Sequence, residues 1–134
     1  MHVSLAPGLL EKMVEHAQAC HPREACGLLI GHGSAAARFV PMDNVLAGES
    51  EFDMDPRQLA ATFRSLRQAG EEIVAIFHSH PKGPAVPSSR DIERAYYPEA
   101  AHIIVSLAEP NHPQVRGFRI IDAEVIEIEL HAIV

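Results

Sequence analysis

Tryptophan is absent from this 134-residue chain, and all aromatic residues together make up 5%. That leaves little material for the stacked-ring platforms that hold single-stranded nucleic acid. Basic residues are also scarce, with 11 Lys+Arg against 18 Asp+Glu and a formal net charge of -7. Such a balance lacks the electropositive footprint that phosphate backbones and anionic lipids attract, so no nucleic acid and no membrane is expected as a partner. There are two cysteines, Cys20 and Cys26. They can form at most one disulfide, and without a C-x-x-C a four-thiolate zinc site is excluded within one chain. No apolar run approaches the roughly 20 residues that span a bilayer. The first residues, MHVSLAPGLLEKMVEHA, lack the basic start of a secretory signal. The expected location is cytoplasmic.

What is present reads as an ordinary folded chain. Hydrophobic residues make up 47% and charged residues 22%, close to the globular average. The length fits a single domain over residues 1–134, long enough to bury roughly two-thirds of its unfolded surface without disulfide staples. The unusual number is nine histidines.

Leu9, Leu10, Met13, Val14 and Ala17 recur at helical spacing and predict an amphipathic helix over about 7–20, ended by His21-Pro22. Ala25 to Ile30 predicts a buried strand, Gly31 to Ser34 a turn, and Ala36 to Pro41 a second strand. Residues 43–55 form a polar loop long enough to have a function. Asp55-Pro56 opens a helix to about Gln68, with Gly70 just past its end and Leu59, Phe63 and Leu66 turned to the core. Ile73 to Phe77 is another buried strand, residues 81–87 a proline-stiffened loop, Ser88 to Tyr97 a helix, and Ile103 to Leu107 a third apolar strand. Val115 to Ile121 and Val125 to Leu130 predict a hairpin turning at Asp122-Ala123 and adding antiparallel pairing at one sheet edge. This alternation implies an α/β sandwich, a mixed sheet flanked by helices.

Chemistry concentrates where the IVAIF strand ends, at His78-Ser79-His80. Residues i and i+2 of a strand face the same side, so both imidazoles project together, with Ser79 turned away to a packing or hydrogen-bonding role. Eleven residues after His80, Asp91 lies one turn into the next helix. Two imidazoles and one carboxylate make three protein ligands, the number that leaves zinc an open position for water. Ser88-x-x-Asp91 is also a helix-start capping pattern, which alone would explain both residues. His2, His16, His21, His32, His102, His112 and His131 show no ligand spacing and are expected to be structural or exposed. Cys26 is expected to be a buried small apolar residue. The H-x-E with P-C-x-x-C pattern of zinc deaminases and the H-E-x-x-H of helix-built zinc proteases are both missing.

The run His78-Ser79-His80-Pro81, six residues, then Ser88-Ser89-Arg90-Asp91 resembles the signature of the JAMM (MPN+) metallopeptidase family. Glu24, within HPREACGLLIG, resembles the family's upstream glutamate. Asn44-Val45, Phe52 to Pro56 and the final strands extend the likeness over nearly the whole chain. The resemblance implies an MPN, cytidine-deaminase-like sandwich. It implies one zinc ion per chain on His78, His80 and Asp91, with Glu24 as general base and Ser88 as oxyanion donor. It further implies hydrolysis of the amide or isopeptide bond after the C-terminal Gly-Gly of a ubiquitin-like or sulfur-carrier protein. The Phe77-His78-Ser79-His80 run and the ending Arg116 to Ala123 resemble the small prokaryotic branch that acts on carriers of the CysO type. Carrier–cysteine and lysine-linked substrates both remain open, as do a zinc hydrolase of small amides and a noncatalytic binding module. The 43–55 and 81–87 loops are the candidate walls of a cleft in which the tail could add as a strand to an exposed edge. Small members of the family often pair, which makes a homodimer the oligomer to look for.

Overall fold

Seven strands and three helices follow one another as β1 (His2–Leu5), α1 (Leu9–Cys20), β2 (Cys26–His32), β3 (Ala35–Met42), α2 (Pro56–Ala69), β4 (Glu72–His80), α3 (Ser89–Glu93), β5 (Ala101–Ser106), β6 (Gln114–Ile121) and β7 (Glu124–Ala132). This is a computed structural model, and it describes residues 1–134. The strands form one mixed sheet in the order β1-β3-β2-β4-β5-β6-β7, closed by parallel pairing of β7 with β1. None of the helices is long and apolar enough to cross a membrane.

Each helix is explained by its ends and its apolar stripe. In α1, Leu9, Met13 and Ala17 are buried, and Leu10 and Val14 pack beside them. Each fully buried large side chain on such a stripe contributes about 1.5–3 kcal/mol over exposure. That stripe meets one face of the sheet, where Leu5, Leu29, Phe77, Ile103, Val105 and Ile128 form the largest core cluster. The second helix starts where the Asp55 carboxylate accepts the N–H groups of Arg57 (2.8 Å) and Gln58 (3.2 Å). It ends at Gly70, whose φ of 69° is open to glycine at little cost. Its Leu66, with Leu59 and Phe63, covers Cys26, Leu28, Ile30 and Ile76 on the opposite face.

The chain departs from the sequence expectations in three places. The C-terminal hairpin does not sit at a sheet edge. Its β7 pairs with β1 from His2↔Glu129 to Leu5↔Ala132 and closes the sheet. The short β1 was not anticipated, although its burial alternates along His2-Val3-Ser4-Leu5 as a half-buried strand requires. The predicted Ser88–Tyr97 helix ends at Glu93, four residues early. Closure covers the edge of β7, but a free edge remains on β3. β3 meets β1 only at Ser4↔Ala35 and Leu5↔Ala36, so the unpaired backbone lies farther along β3 and in the 43–55 loop.

The β6–β7 turn is where expected, and Asp122 and Ala123 both take positive φ, 51° and 65°. Two-residue hairpin turns of this hand favour Asn or Asp followed by glycine. Aspartate tolerates the left-handed region, whereas alanine is strained there. Ala123→Gly is therefore expected to stabilise the fold by about 0.5–1 kcal/mol, the relieved strain exceeding the extra freedom of glycine in the unfolded chain. The urea midpoint should rise, and an unchanged or lower midpoint would contradict this account of the turn.

Candidate metal centre and active site

The strand β4 continues three residues past the expected end at Phe77, so His78 and His80 lie inside the sheet rather than beyond it. Parallel pairing with β5 (His78↔Ile104, His80↔Ser106) holds their backbone, and both side chains rise from the face that carries Ile76 and Leu28. Ser79 turns to the other face as expected, where its Oγ accepts the buried Ala25 N–H at 2.8 Å. That bond ties the start of β2, and with it Glu24, to β4.

Opposite the imidazoles, α3 delivers Asp91. The capping pattern read from Ser88-x-x-Asp91 is real: Ser88 Oγ accepts the Asp91 N–H at 3.1 Å, and Asp91 Oδ2 accepts the Ser88 N–H at 2.9 Å. The same Oδ2 lies 3.1 Å from His78 Nε2 and 3.0 Å from His80 Nε2, and the two ring nitrogens are 3.1 Å apart. Capping and convergence on the histidines are thus one arrangement. Because Ser88 Oγ serves Asp91 as an acceptor, its own O–H proton is left to donate outward from an exposed position.

Electrostatics follow from this packing. Burial pushes the Asp91 carboxyl up, but hydrogen bonds from His78, His80 and the Ser88 N–H outweigh it and hold the group well below the usual carboxylate range. Burial drives His78 down against the pull of Asp91. For His80 burial opposes protonation, yet Asp91 and the Pro84 carbonyl raise its pKa. His80 Nδ1 donates to Pro84 O at 2.8 Å; the protonated ring also donates from Nε2 to Asp91, and the neutral ring leaves Nε2 as the lone-pair nitrogen open to a cation. Glu24 is 4% exposed, its Oε1 is buried without a partner, and burial raises its pKa from 4.5 to about 7. His80 and Asp91 both act on that ionisation, in opposite senses, so Glu24 belongs to the same cluster.

The donor set fits a divalent cation. Two nitrogens and one oxygen at 3.0–3.1 Å from one another approach the spacing of about 3.3 Å between tetrahedral ligands of zinc. No other three His, Cys, Asp or Glu residues converge in this way. His2 and His131 are exposed and stacked on each other, and His21, His32 and His112 are exposed. His16 Nε2 lies against the Cys26 carbonyl, 3.2 Å away. Both cysteines are free thiols, with Cys26 buried as expected.

Three neighbours of the site carried no assigned role in the sequence. His102 is buried on β5 with Nε2 unpartnered, and burial pushes its pKa down to about 4. Asn44 organises the 43–55 loop: its Nδ2 donates to the carbonyls of Glu24 and Glu51, and its Oδ1 accepts the N–H groups of Leu46 and Asp53, all at 3.1 Å. Phe52 stacks on His78. A cavity of about 400 Å³ opens beside His78 and Asp91, walled by Phe52, Leu59, Phe63, Ile76, Tyr96 and Tyr97 with Arg90 and Arg94. The 43–55 loop contributes to this wall as expected. The 81–87 loop does not line it, because Pro81 and Ala85 are buried beneath and its Gly83 and Pro84 carbonyls are bonded to Ser106 and His80.

Residues 6–121 match the family described as prokaryotic homologs of the JAB domain, and the chain belongs to that family. It is 36% identical over 121 residues to the CysO-cysteine peptidase of Mycobacterium tuberculosis, covering 89% of this chain and 83% of that one. It is 32% identical over 111 residues to the desampylase of Haloferax volcanii, covering 78% of this chain and 80% of that one. The solution structure of protein DSY2949 from Desulfitobacterium hafniense superposes with a TM-score of 0.87 at 36% identity, over 99% of this chain and 93% of that one. The family and fold expected from the sequence are the ones found.

The raised pKa of Glu24 has a consequence for stability without metal. A carboxyl whose folded pKa lies above its unfolded value contributes stability that is complete below 4.5 and is lost as pH rises through about 7. Glutamine has no such loss. In the presence of a chelator, Glu24→Gln is expected to gain on the wild type between pH 5 and pH 8 by about 2 kcal/mol. Urea unfolding at the two pH values measures it, and an equal difference at both would show that Glu24 bears no burial penalty.

Proposed function

We propose that the chain is a zinc-dependent peptidase or isopeptidase that cleaves the amide bond after the C-terminal Gly-Gly of a ubiquitin-like or sulfur-carrier protein. The observation that carries the reading is the convergence of His78 Nε2, His80 Nε2 and Asp91 Oδ2 within 3.1 Å of one another beside a buried carboxyl with an unpartnered oxygen. Relatives named for cleavage of CysO–cysteine and for desampylation supply the substrate class.

In this reading His78, His80 and Asp91 hold the zinc. When bound, zinc polarises the scissile carbonyl and lowers the pKa of water toward neutrality. The chain's residues supply the remaining steps. Asp91 is anchored by the Ser88 N–H, and His80 by the Pro84 carbonyl, so both present their ligand atoms in fixed directions. Glu24 as carboxylate takes the proton of the attacking water and passes it to the leaving amine. The free O–H of Ser88 donates to the carbonyl oxygen as negative charge develops. A tail ending in two glycines suits such a site, because a residue without Cβ lets its backbone approach closely.

The deciding assay presents the zinc-loaded protein with carrier adducts to cysteine and to lysine, with and without a chelator. Turnover of a carrier adduct that the chelator abolishes is expected, and the adduct that is cleaved identifies the leaving group. Hydrolysis of small amides alone would overturn the carrier reading, and full activity in chelator would overturn the metal reading. Glu24→Gln should keep zinc by elemental analysis while turnover falls about 10²–10⁴-fold; unchanged turnover would remove Glu24 as the base. Ser88→Ala, which also removes the acceptor of the Asp91 N–H, should raise the barrier by about 2–4 kcal/mol through kcat in protein that elemental analysis shows still holds zinc. A loss confined to KM would instead assign Ser88 to ground-state binding.

A further inference from the structure

The two histidines of the site are held in different ways. His80 is fixed at both ends of its ring, Nε2 facing Asp91 and Nδ1 donating to Pro84 O at 2.8 Å. His78 faces Asp91 with Nε2, but its Nδ1 is buried without any partner. The last side-chain torsion of a histidine is broad and only weakly self-determined, and a metal-bound imidazole usually has its second nitrogen tied down. What touches the flat face of His78 is the ring of Phe52, 4.8 Å away between centroids and inclined by 23°. The His80 ring meets His78 at 60° instead.

Phe52 comes from the 43–55 loop, and that loop is braced on both sides. Glu51, the preceding residue, pairs with Arg90 at 3.1 Å and Arg94 at 3.9 Å, in and just after the helix that carries Asp91. Asn44 fixes the loop to itself and to the Glu24 carbonyl. We infer that Phe52 is a positioning residue: its ring sets the plane of the His78 imidazole, so that metal affinity depends on a loop that supplies no ligand. This rests on His78 being a metal ligand. By linkage, metal binding must in turn stabilise the loop.

The test compares the wild type with Phe52→Ala, Phe52→Leu and Phe52→Tyr, using zinc affinity by competition with a chromophoric chelator and the visible spectrum of the cobalt-substituted protein. Alanine and leucine are expected to weaken zinc binding about 10–100-fold and to change the cobalt bands. Leucine covers His78 without defining its plane, whereas tyrosine keeps a ring and should stay within about twofold of the wild type. A folded Ala or Leu variant with wild-type zinc affinity and cobalt spectrum would overturn the inference. If neither folds, amide exchange in the wild type decides. Zinc should slow exchange of the Leu46 and Asp53 N–H groups held by Asn44, and unchanged rates there would overturn it equally. A wild type that binds no zinc would mark failure of the metal reading itself, a separate result.

Discussion

One oxygen atom, Asp91 Oδ2, joins the local order of a short helix to the chemistry of the site. It accepts the Ser88 N–H and faces both imidazole nitrogens. A five-residue helix has almost no stability of its own. The capping box that starts α3 therefore matters more here than in a long helix, and it holds the carboxylate where the histidines converge. The polarity is consistent as well, since an acid in the first turn meets the positive end of the helix. Breaking the cap would displace the third donor together with the exposed hydroxyl of Ser88.

The sheet supplies the other half of the geometry. Alternation along β4 sends Ile76, His78 and His80 to one face and Phe77 and Ser79 to the other, so core and site share a strand without competing for side chains. Phe77 is fully buried in the largest cluster. Ser79 uses its polar atom to hold Ala25, and thereby keeps the residue after Glu24 fixed to the strand that bears the histidines. Closure of the sheet by β1 and β7 braces this arrangement from a distance. Burial then has a cost, visible in the unpartnered Glu24 Oε1 and His78 Nδ1. Orphaned buried polar atoms are uncommon in folded proteins, and their clustering at one place marks where stability yields to function.

How much of this was legible beforehand depended on the range of the signal. His78, His80 and Asp91 share one strand–loop–helix unit, so strand parity and a capping motif brought them together from spacing alone. Glu24 lies 54 residues before His78 in the sequence, and no local period connects them; only the family resemblance named it. The helices α1 and α2 were readable because their stripes and end signals are local. The strand β1 was not, since four residues containing a histidine and a serine form a weak pattern, and its partner β7 lies at the far end of the chain. The predicted extension of α3 failed because helical composition continues through Tyr96 while the helix itself ends at Glu93. Asn44 and Phe52 were legible only as parts of the family resemblance and not by role, because a loop residue's hydrogen bonds and stacking partners are set by tertiary contact.

The 43–55 loop is better understood as part of the centre than as a connection. Its backbone is held by one asparagine side chain, a glutamate in it reaches the helix carrying Asp91, and a phenylalanine in it covers His78. Gly48 O accepts the N–H of Glu24 at 2.8 Å, so the loop is also tied to the residue that bears the buried carboxyl. Exposed ion pairs such as Lys82–Glu49 add little individually. Several links together tie the loop to α3 and to Glu24 just ahead of β2.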